Sequence, residues 1–110
     1  MRILFAATIS MLTMVPAMAQ SDHEFCALGT GHYSCANWLS RPEYERDGVA
    51  WIFGYWSALN LQNSQSHKVG SRSDGAAIIG EVKKICIAEP STVLSSAVDR
   101  IYGQFQRDGK

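Results

Sequence analysis

The sequence has 110 residues, which is enough for one domain and too few for two of ordinary size. Its 10 basic and 10 acidic side chains balance, so the composition excludes a polybasic nucleic-acid binder. Hydrophobic residues make up 46% of the chain and charged residues 18%, which is typical of a globular domain and too apolar for a disordered chain. We therefore expect one folded domain with no nucleic-acid partner.

Residues 1–19 have the pattern of a secretory signal peptide. Arg2 supplies a positive charge, an uncharged and mostly apolar run covers residues 3–15, and a small-x-small cleavage site ends at Ala19. The apolar run is too short to cross a bilayer as a helix. We therefore expect a protein that is secreted to the periplasm and is not inserted in a membrane once the signal peptide is removed.

The rest of the chain carries helical periodicity and no alternating strand pattern of useful length, apart from a short candidate strand at Lys68-Val69. The first expected elements are a flexible lead-in over 20–33, a short helix over 35–39 capped by Ser34, and a helix from Glu43 to about Gln62. A polar loop over 63–72 follows. The third helix is capped by Ser73 or Asp74 and ends at Glu89-Pro90, and the last helix is capped by Ser91 and has an apolar stripe from Leu94 to Phe105. The predicted fold class is all-α, a single domain over 34–107 with three main helices and one short N-terminal helix.

Two glycines lie inside the predicted helices, Gly54 in the second and Gly80 in the third. A glycine in a helix interior costs about 1 kcal/mol relative to alanine. We expect such a cost to be compensated by the close approach of another helix backbone or of an aromatic ring at these two positions. A binding groove beside Gly54 is the alternative.

The three cysteines, Cys26, Cys35 and Cys86, allow at most one internal disulfide. A Cys35–Cys86 bond would join elements distant in sequence and would stabilise the fold by about 4 kcal/mol in the chain-entropy model. A Cys26–Cys35 bond would close a loop of only about ten residues and stabilise the core less. We predict that Cys35 and Cys86 pair and that Cys26 stays a free thiol, either without a role or available for an intermolecular disulfide.

No catalytic motif is present in the sequence. His23, His32 and His67 lack the spacing of metal ligands, and there is no C-x-x-C motif, no nucleophile elbow and no phosphate-binding glycine loop. The acidic residues Glu43 and Asp47 favour the first turns of a helix because of its dipole. We expect neither an enzyme nor a cofactor or metal site.

Aromatic side chains are dense in the second predicted helix. Trp51, Tyr55 and Trp56 extend its apolar surface beyond a single stripe. One interpretation is a central helix that other helices cover on two sides. The other is that these three residues form a surface that binds a protein partner or a second copy of the chain in a homodimer, because exposed aromatic patches mark interaction sites.

Short motifs are spread over about 35–105. In order, they are Cys35 with Trp38-Leu39, Gly54-Tyr55-Trp56-Ser57-Ala58-Leu59-Asn60, Val69-Gly70 with Asp74-Gly75, Val82-Lys83-Lys84-Ile85-Cys86, and Glu89-Pro90 before a final amphipathic helix. This order resembles the HdeA/HdeB-like family of small periplasmic helical proteins. The same layout is also similar to the immunity proteins that neutralise type VI secretion amidases.

The first resemblance implies a disulfide-stapled HdeA-like fold and an acid-stress chaperone of the holdase type. In that family low pH dissociates a dimer and exposes apolar surface that captures unfolded client proteins. The composition is compatible with this, since below about pH 3 the acidic side chains are neutral and the remaining positive charges repel one another. The second resemblance implies a module that binds and inhibits one specific protein.

Overall fold

A computed structural model describes residues 25–110, so the predicted signal peptide over 1–19 lies outside the described residues. Within this part of the chain the fold is an all-α bundle, as predicted, and no residue forms a strand beyond an isolated bridge between Ser34 and Val93. Lys68-Val69 is therefore not a strand. The elements are a 3-10 turn at Gly29–His32 and the helices α1 (Cys35–Trp38), α2 (Pro42–Gln62), α3 (Gly75–Ala88) and α4 (Leu94–Asp108).

Side-chain caps begin two of the helices where the sequence predicts them. The Ser34 hydroxyl accepts a hydrogen bond from the backbone N–H of Asn37 at 3.1 Å, and an Asp74 carboxylate oxygen accepts one from Ala77 at 2.7 Å. Each cap satisfies a backbone donor that has no partner within the helix. These two predictions are confirmed, and Asp74 rather than Ser73 is the cap of α3.

The prediction that Ser91 caps α4 is wrong, because the chain before this helix forms backbone hydrogen bonds with the residues around the start of α1. The backbone N–H of Cys35 donates to the carbonyl of Thr92 at 2.7 Å, and the N–H of Leu94 donates to the carbonyl of Tyr33 at 2.9 Å. These bonds hold Thr92 and the extended Val93 beside the start of α1. The helix therefore begins only at Leu94.

The core lies between α2, α3 and α4, with α1 covering one end. A disulfide joins Cys35 at the start of α1 to Cys86 in the last turn of α3, and both cysteines are fully buried. This confirms the predicted pairing. The predicted stripe of α4 is likewise buried along its whole length, at Leu94, Ala97, Val98, Ile101, Tyr102 and Phe105.

A polar network fixes the loop between α2 and α3. Asn60 in α2 both donates to the carbonyl of Val69 at 3.0 Å and accepts from its N–H at 3.1 Å, while the indole N–H of Trp56 donates to the same carbonyl at 2.8 Å. The hydroxyl of Tyr102 in α4 donates to Asn60 at 2.9 Å. The loop is therefore held against the C-terminal parts of α2 and α4. Gly70 follows with a φ of +89°, in the region that favours glycine.

The expectation that other groups approach Gly54 and Gly80 closely is wrong. A Cβ added at either position would meet no atom within 4 Å. The close approaches occur instead at Gly48, where a Cβ would overlap the Trp38 ring, and at Gly31, where it would overlap the Trp51 ring. At these two glycines the absence of a side chain makes room for an indole ring.

Candidate protein-interaction surface

Residues 25–33, which we call the N-terminal strap, pack along α2. The indole N–H of Trp51 donates to the carbonyl of Leu28 at 2.9 Å, and Gly31 is buried beneath the same ring. Phe25 stacks on Tyr55 with ring centroids 5.5 Å apart. Residues 25–33 of the predicted lead-in over 20–33 thus contact α2 through a hydrogen bond and aromatic rings.

The three aromatic residues predicted as a partner-binding surface occupy two different environments. Trp56 is 5% exposed and packs edge-on against Tyr102 and Phe105, so it belongs to the core and is not part of an accessible surface. Trp51 and Tyr55 are half-buried, with ring centroids 4.8 Å apart, and the N-terminal strap lies over them. Only displacement of the strap would make these two rings fully accessible.

Tyr55 also links α2 to α4. Its hydroxyl donates to a carboxylate oxygen of Asp99 at 2.5 Å. Partial burial, and then the hydrogen bond and negative charge of Asp99, raise the pKa of Tyr55 above its usual range, since the phenolate would be desolvated and repelled. The hydroxyl therefore keeps its proton and this link throughout the neutral and moderately alkaline range.

This shift predicts a loss of stability at high pH. The unfolded chain releases the Tyr55 proton near pH 10.0 while the folded protein still holds it, so the free energy of unfolding should fall as the pH rises from there. In Tyr55→Phe this fall should be smaller, whereas the exposed Tyr33→Phe should keep it. Urea denaturation midpoints at about pH 8 and about pH 11 measure the difference. If the denaturation midpoint fell equally between the two pH values in both variants, this would contradict the raised pKa of Tyr55.

Exposed apolar side chains surround the 3-10 turn and the start of α2. They form what we call the apolar rim, which consists of Phe25, Leu28, Tyr33, Tyr44 and Val93, with exposed fractions of 58%, 77%, 55%, 37% and 40%. Leu28 and Tyr33 line one shallow cleft, Tyr33 and Tyr44 line a second, and the bridge to Ser34 places Val93 beside Tyr33. Leu28, Tyr33, Tyr44 and Val93 are therefore neighbours, and Phe25 stacks on Tyr55 at the beginning of the strap.

The sequence pattern did not single out the rim, because most of its members stand in short irregular segments without periodicity. The one usable signal was that Phe25, Leu28 and Tyr33 are large apolar residues within an otherwise polar and glycine-containing stretch. A segment of that kind is either covered by the fold or available for binding. The structure shows the strap backbone docked while these side chains remain exposed.

The cleft between the 3-10 turn and α2 has a volume of about 470 Å³. Tyr33 and Tyr44 contribute aromatic rings to its lining, while Asn37 and Asp47 contribute an amide and a carboxylate. The Arg41 guanidinium lies 5.5 Å from the centre of the Tyr44 ring. This mixed lining suits one side chain of a partner protein, with its apolar part between the rings and a polar end near Asn37 or Asp47.

Cys26 is exposed and forms no disulfide, as predicted. It lies at the edge of the apolar rim, in a small cleft of about 170 Å³ that Leu28 and His32 also line. The thiol therefore faces the same side of the molecule as the rim.

The remaining candidates for chemistry are scattered over the described residues. Glu45 forms an ion pair with Lys83 and thereby ties α2 to α3, and His67 Nδ1 lies 2.8 Å from the carbonyl oxygen of Asn60. His23 lies outside the described residues. No group of three metal-ligating side chains comes together between residues 25 and 110. None of the helices in this range combines the length and the apolar character needed to cross a bilayer.

Comparison of the chain with family models, with curated proteins and with solved structures gave no match.

Proposed function

We propose that this is a secreted, periplasmic protein that binds other proteins, and that it acts as an acid-stress holdase which captures apolar segments of unfolding proteins. The observation that carries the proposal is the apolar rim, a set of five exposed large apolar side chains on the strap and beside it. Exposed apolar patches of this kind mark sites of protein interaction. The buried disulfide is compatible with an oxidising compartment outside the cytosol.

The link of Asp99 to Tyr55, the ring on which Phe25 of the strap stacks, supplies a route by which acid enlarges this surface. Links between elements depend on carboxylates, namely Glu45 with Lys83, Glu89 with Arg100, and Asp99 with Tyr55. At pH 2–3 side-chain carboxylates are largely neutral, so these links weaken while the net positive charge grows. Release of the strap would then add the rings of Trp51 and Tyr55 to the apolar rim.

The proposal is tested by the ability of the purified, oxidised protein to suppress aggregation of an unrelated unfolding protein at pH 3 and at pH 7. We expect suppression at pH 3 that weakens in Leu28→Lys, because a lysine stays charged at both pH values. Removing one leucine contact that is buried on binding costs about 1.5–3 kcal/mol, so about ten- to a hundredfold more protein should be needed. Leu61→Lys is the matched control, since Leu61 is 80% exposed and lies at the far end of α2.

Failure to suppress aggregation at any ratio, at either pH, would exclude the holdase. Equal loss of activity in Leu28→Lys and Leu61→Lys would show that the apolar rim is not the binding surface.

A second candidate function, binding and inhibition of one specific protein as in the immunity proteins, is favoured by the 470 Å³ cleft. A defined cleft with both aromatic and polar lining suits one complementary side chain better than many unrelated segments. This function predicts one stoichiometric partner at pH 7 and loss of that complex in Tyr44→Ala. The holdase predicts many partners that bind only in acid.

A further inference from the structure

A second cleft, which we call the basic cleft, lies at the end of the bundle away from the apolar rim. It is formed where the loop between α2 and α3 meets the C-terminal end of α4, and its volume is about 290 Å³. Three cationic side chains, Lys68, Arg72 and Lys110, contribute to its lining together with the hydroxyl-bearing Ser66 and Ser71. The side chains on this surface therefore offer hydrogen-bond donors and positive charge.

The positive charge of the basic cleft is not neutralised by neighbouring side chains. The ion pairs found among residues 25–110 use Lys83, Lys84 and Arg100, and no carboxylate side chain lines the cleft. Three of the 10 basic residues of a chain with no net charge thus converge on one cleft.

The backbone under these side chains is held in place. Val69 is fixed by Asn60 and Trp56, and the N–H of Gly70 donates to a backbone oxygen of Lys110 at 3.1 Å. Gly109 adopts a φ of +67°, which turns the chain back so that the N–H of Lys110 donates to the carbonyl of Phe105 at 3.0 Å. Little backbone ordering is therefore needed when a ligand binds, which favours affinity.

We propose that the basic cleft binds a phosphate-type oxyanion. A phosphate group carries up to two negative charges and several acceptor oxygens, so it can engage a guanidinium fork, ammonium groups and hydroxyls at once. Arg72 suits the planar pairing with two oxygens, and Lys68 and Lys110 supply point charges. Free inorganic phosphate and the headgroup of an anionic lipid are the two sources of this group. The cleft is separate from the apolar rim, so this proposal does not rest on the holdase function.

The first experiment follows backbone amide signals by NMR while inorganic phosphate is added at constant ionic strength, with chloride as the comparison. We expect saturable shifts at Ser71, Arg72 and Lys110. The double variant Lys68→Gln/Arg72→Gln should bind about tenfold more weakly, because two solvent-exposed charge contacts are lost. Lys84→Gln is the matched control, since its ammonium is exposed on α3 outside the cleft. Its affinity should be unchanged.

The second experiment distinguishes the source of the phosphate by co-sedimentation with vesicles of phosphatidylglycerol or of phosphatidylcholine. A lipid headgroup would be supported if the protein bound phosphatidylglycerol vesicles and not phosphatidylcholine vesicles. This binding should be weaker in Lys68→Gln/Arg72→Gln and unchanged in Lys84→Gln. Binding of phosphate without binding of vesicles would support a free phosphate ligand. Non-saturating shifts, equal shifts in chloride, or equal weakening by Lys84→Gln would overturn the proposal, because charge screening alone would then explain the signal. All of these residues are exposed, and circular dichroism verifies that the variants fold.

Discussion

Replacing both Cys35 and Cys86 with alanine should lower the free energy of unfolding by about 4 kcal/mol, because the disulfide closes a loop of 51 residues. The crosslink restricts the unfolded chain far more than it restricts the folded one. Domains of this size have a total stability on the order of 5–15 kcal/mol, so the loss is a large part of the whole. Urea denaturation of the oxidised protein and of the double variant measures the difference directly.

Cys26→Ala is the control for this prediction, because Cys26 is exposed and forms no disulfide. Its free energy of unfolding should match that of the parent protein within about 0.5 kcal/mol. Reduction of the parent protein should reproduce the loss seen in the double variant. If the double variant lost less than about 1 kcal/mol, the unfolded chain would have to be far more compact than the chain-entropy model assumes.

The position of this bond explains why it affects the proposed function as well as stability. It fastens α1 to α3, and the segment just before α1 is the N-terminal strap. Acid that weakens the carboxylate links leaves the disulfide intact, since a covalent bond is insensitive to protonation. The bundle can therefore loosen around α2 and still retain the connection between its first and third helices.

The features that could be predicted from sequence are those encoded within a few neighbouring residues. The caps at Ser34 and Asp74 depend on a hydrogen bond to an N–H three residues later, and the buried stripe of α4 follows from helical spacing. The start of α4 could not be predicted in this way. It is set by backbone bonds from Cys35 and to Tyr33, which are nearly 60 residues away along the chain.

The candidate site was harder to predict than the fold for the same reason. Trp51 and Trp56 both stand out in the sequence, yet which of them is buried depends on whether the strap or the loop at Val69 lies over the ring. The exposed members Leu28 and Tyr33 follow no period, so their contribution becomes visible only once the backbone of the strap is docked on α2. Long-range packing decides both outcomes.

Two glycines in the same helix should respond in opposite ways to alanine, and this is the sharpest test of the packing of α2. Gly48→Ala should destabilise the protein by about 3 kcal/mol, because the new Cβ would overlap the Trp38 ring. Trp38 cannot move aside easily, since it is 0% exposed and its indole N–H donates to the carbonyl of Glu45 at 3.0 Å. The surrounding helix would have to shift to accept the methyl group.

Gly54→Ala should instead stabilise the protein by about 1 kcal/mol, because alanine favours the helix and no atom lies within 4 Å of the added Cβ. Gly80→Ala tests the same reasoning in α3, where the space is also open. Urea denaturation at neutral pH gives all three values, and the two α2 variants should differ by about 4 kcal/mol. Equal effects at Gly48 and Gly54 would mean that Trp38 does not pack against α2 at Gly48, and the contact between α1 and α2 would then need another arrangement. Because both substitutions add the same methyl group to the same helix, propensity alone cannot produce opposite signs, and only the neighbouring indole distinguishes the two positions.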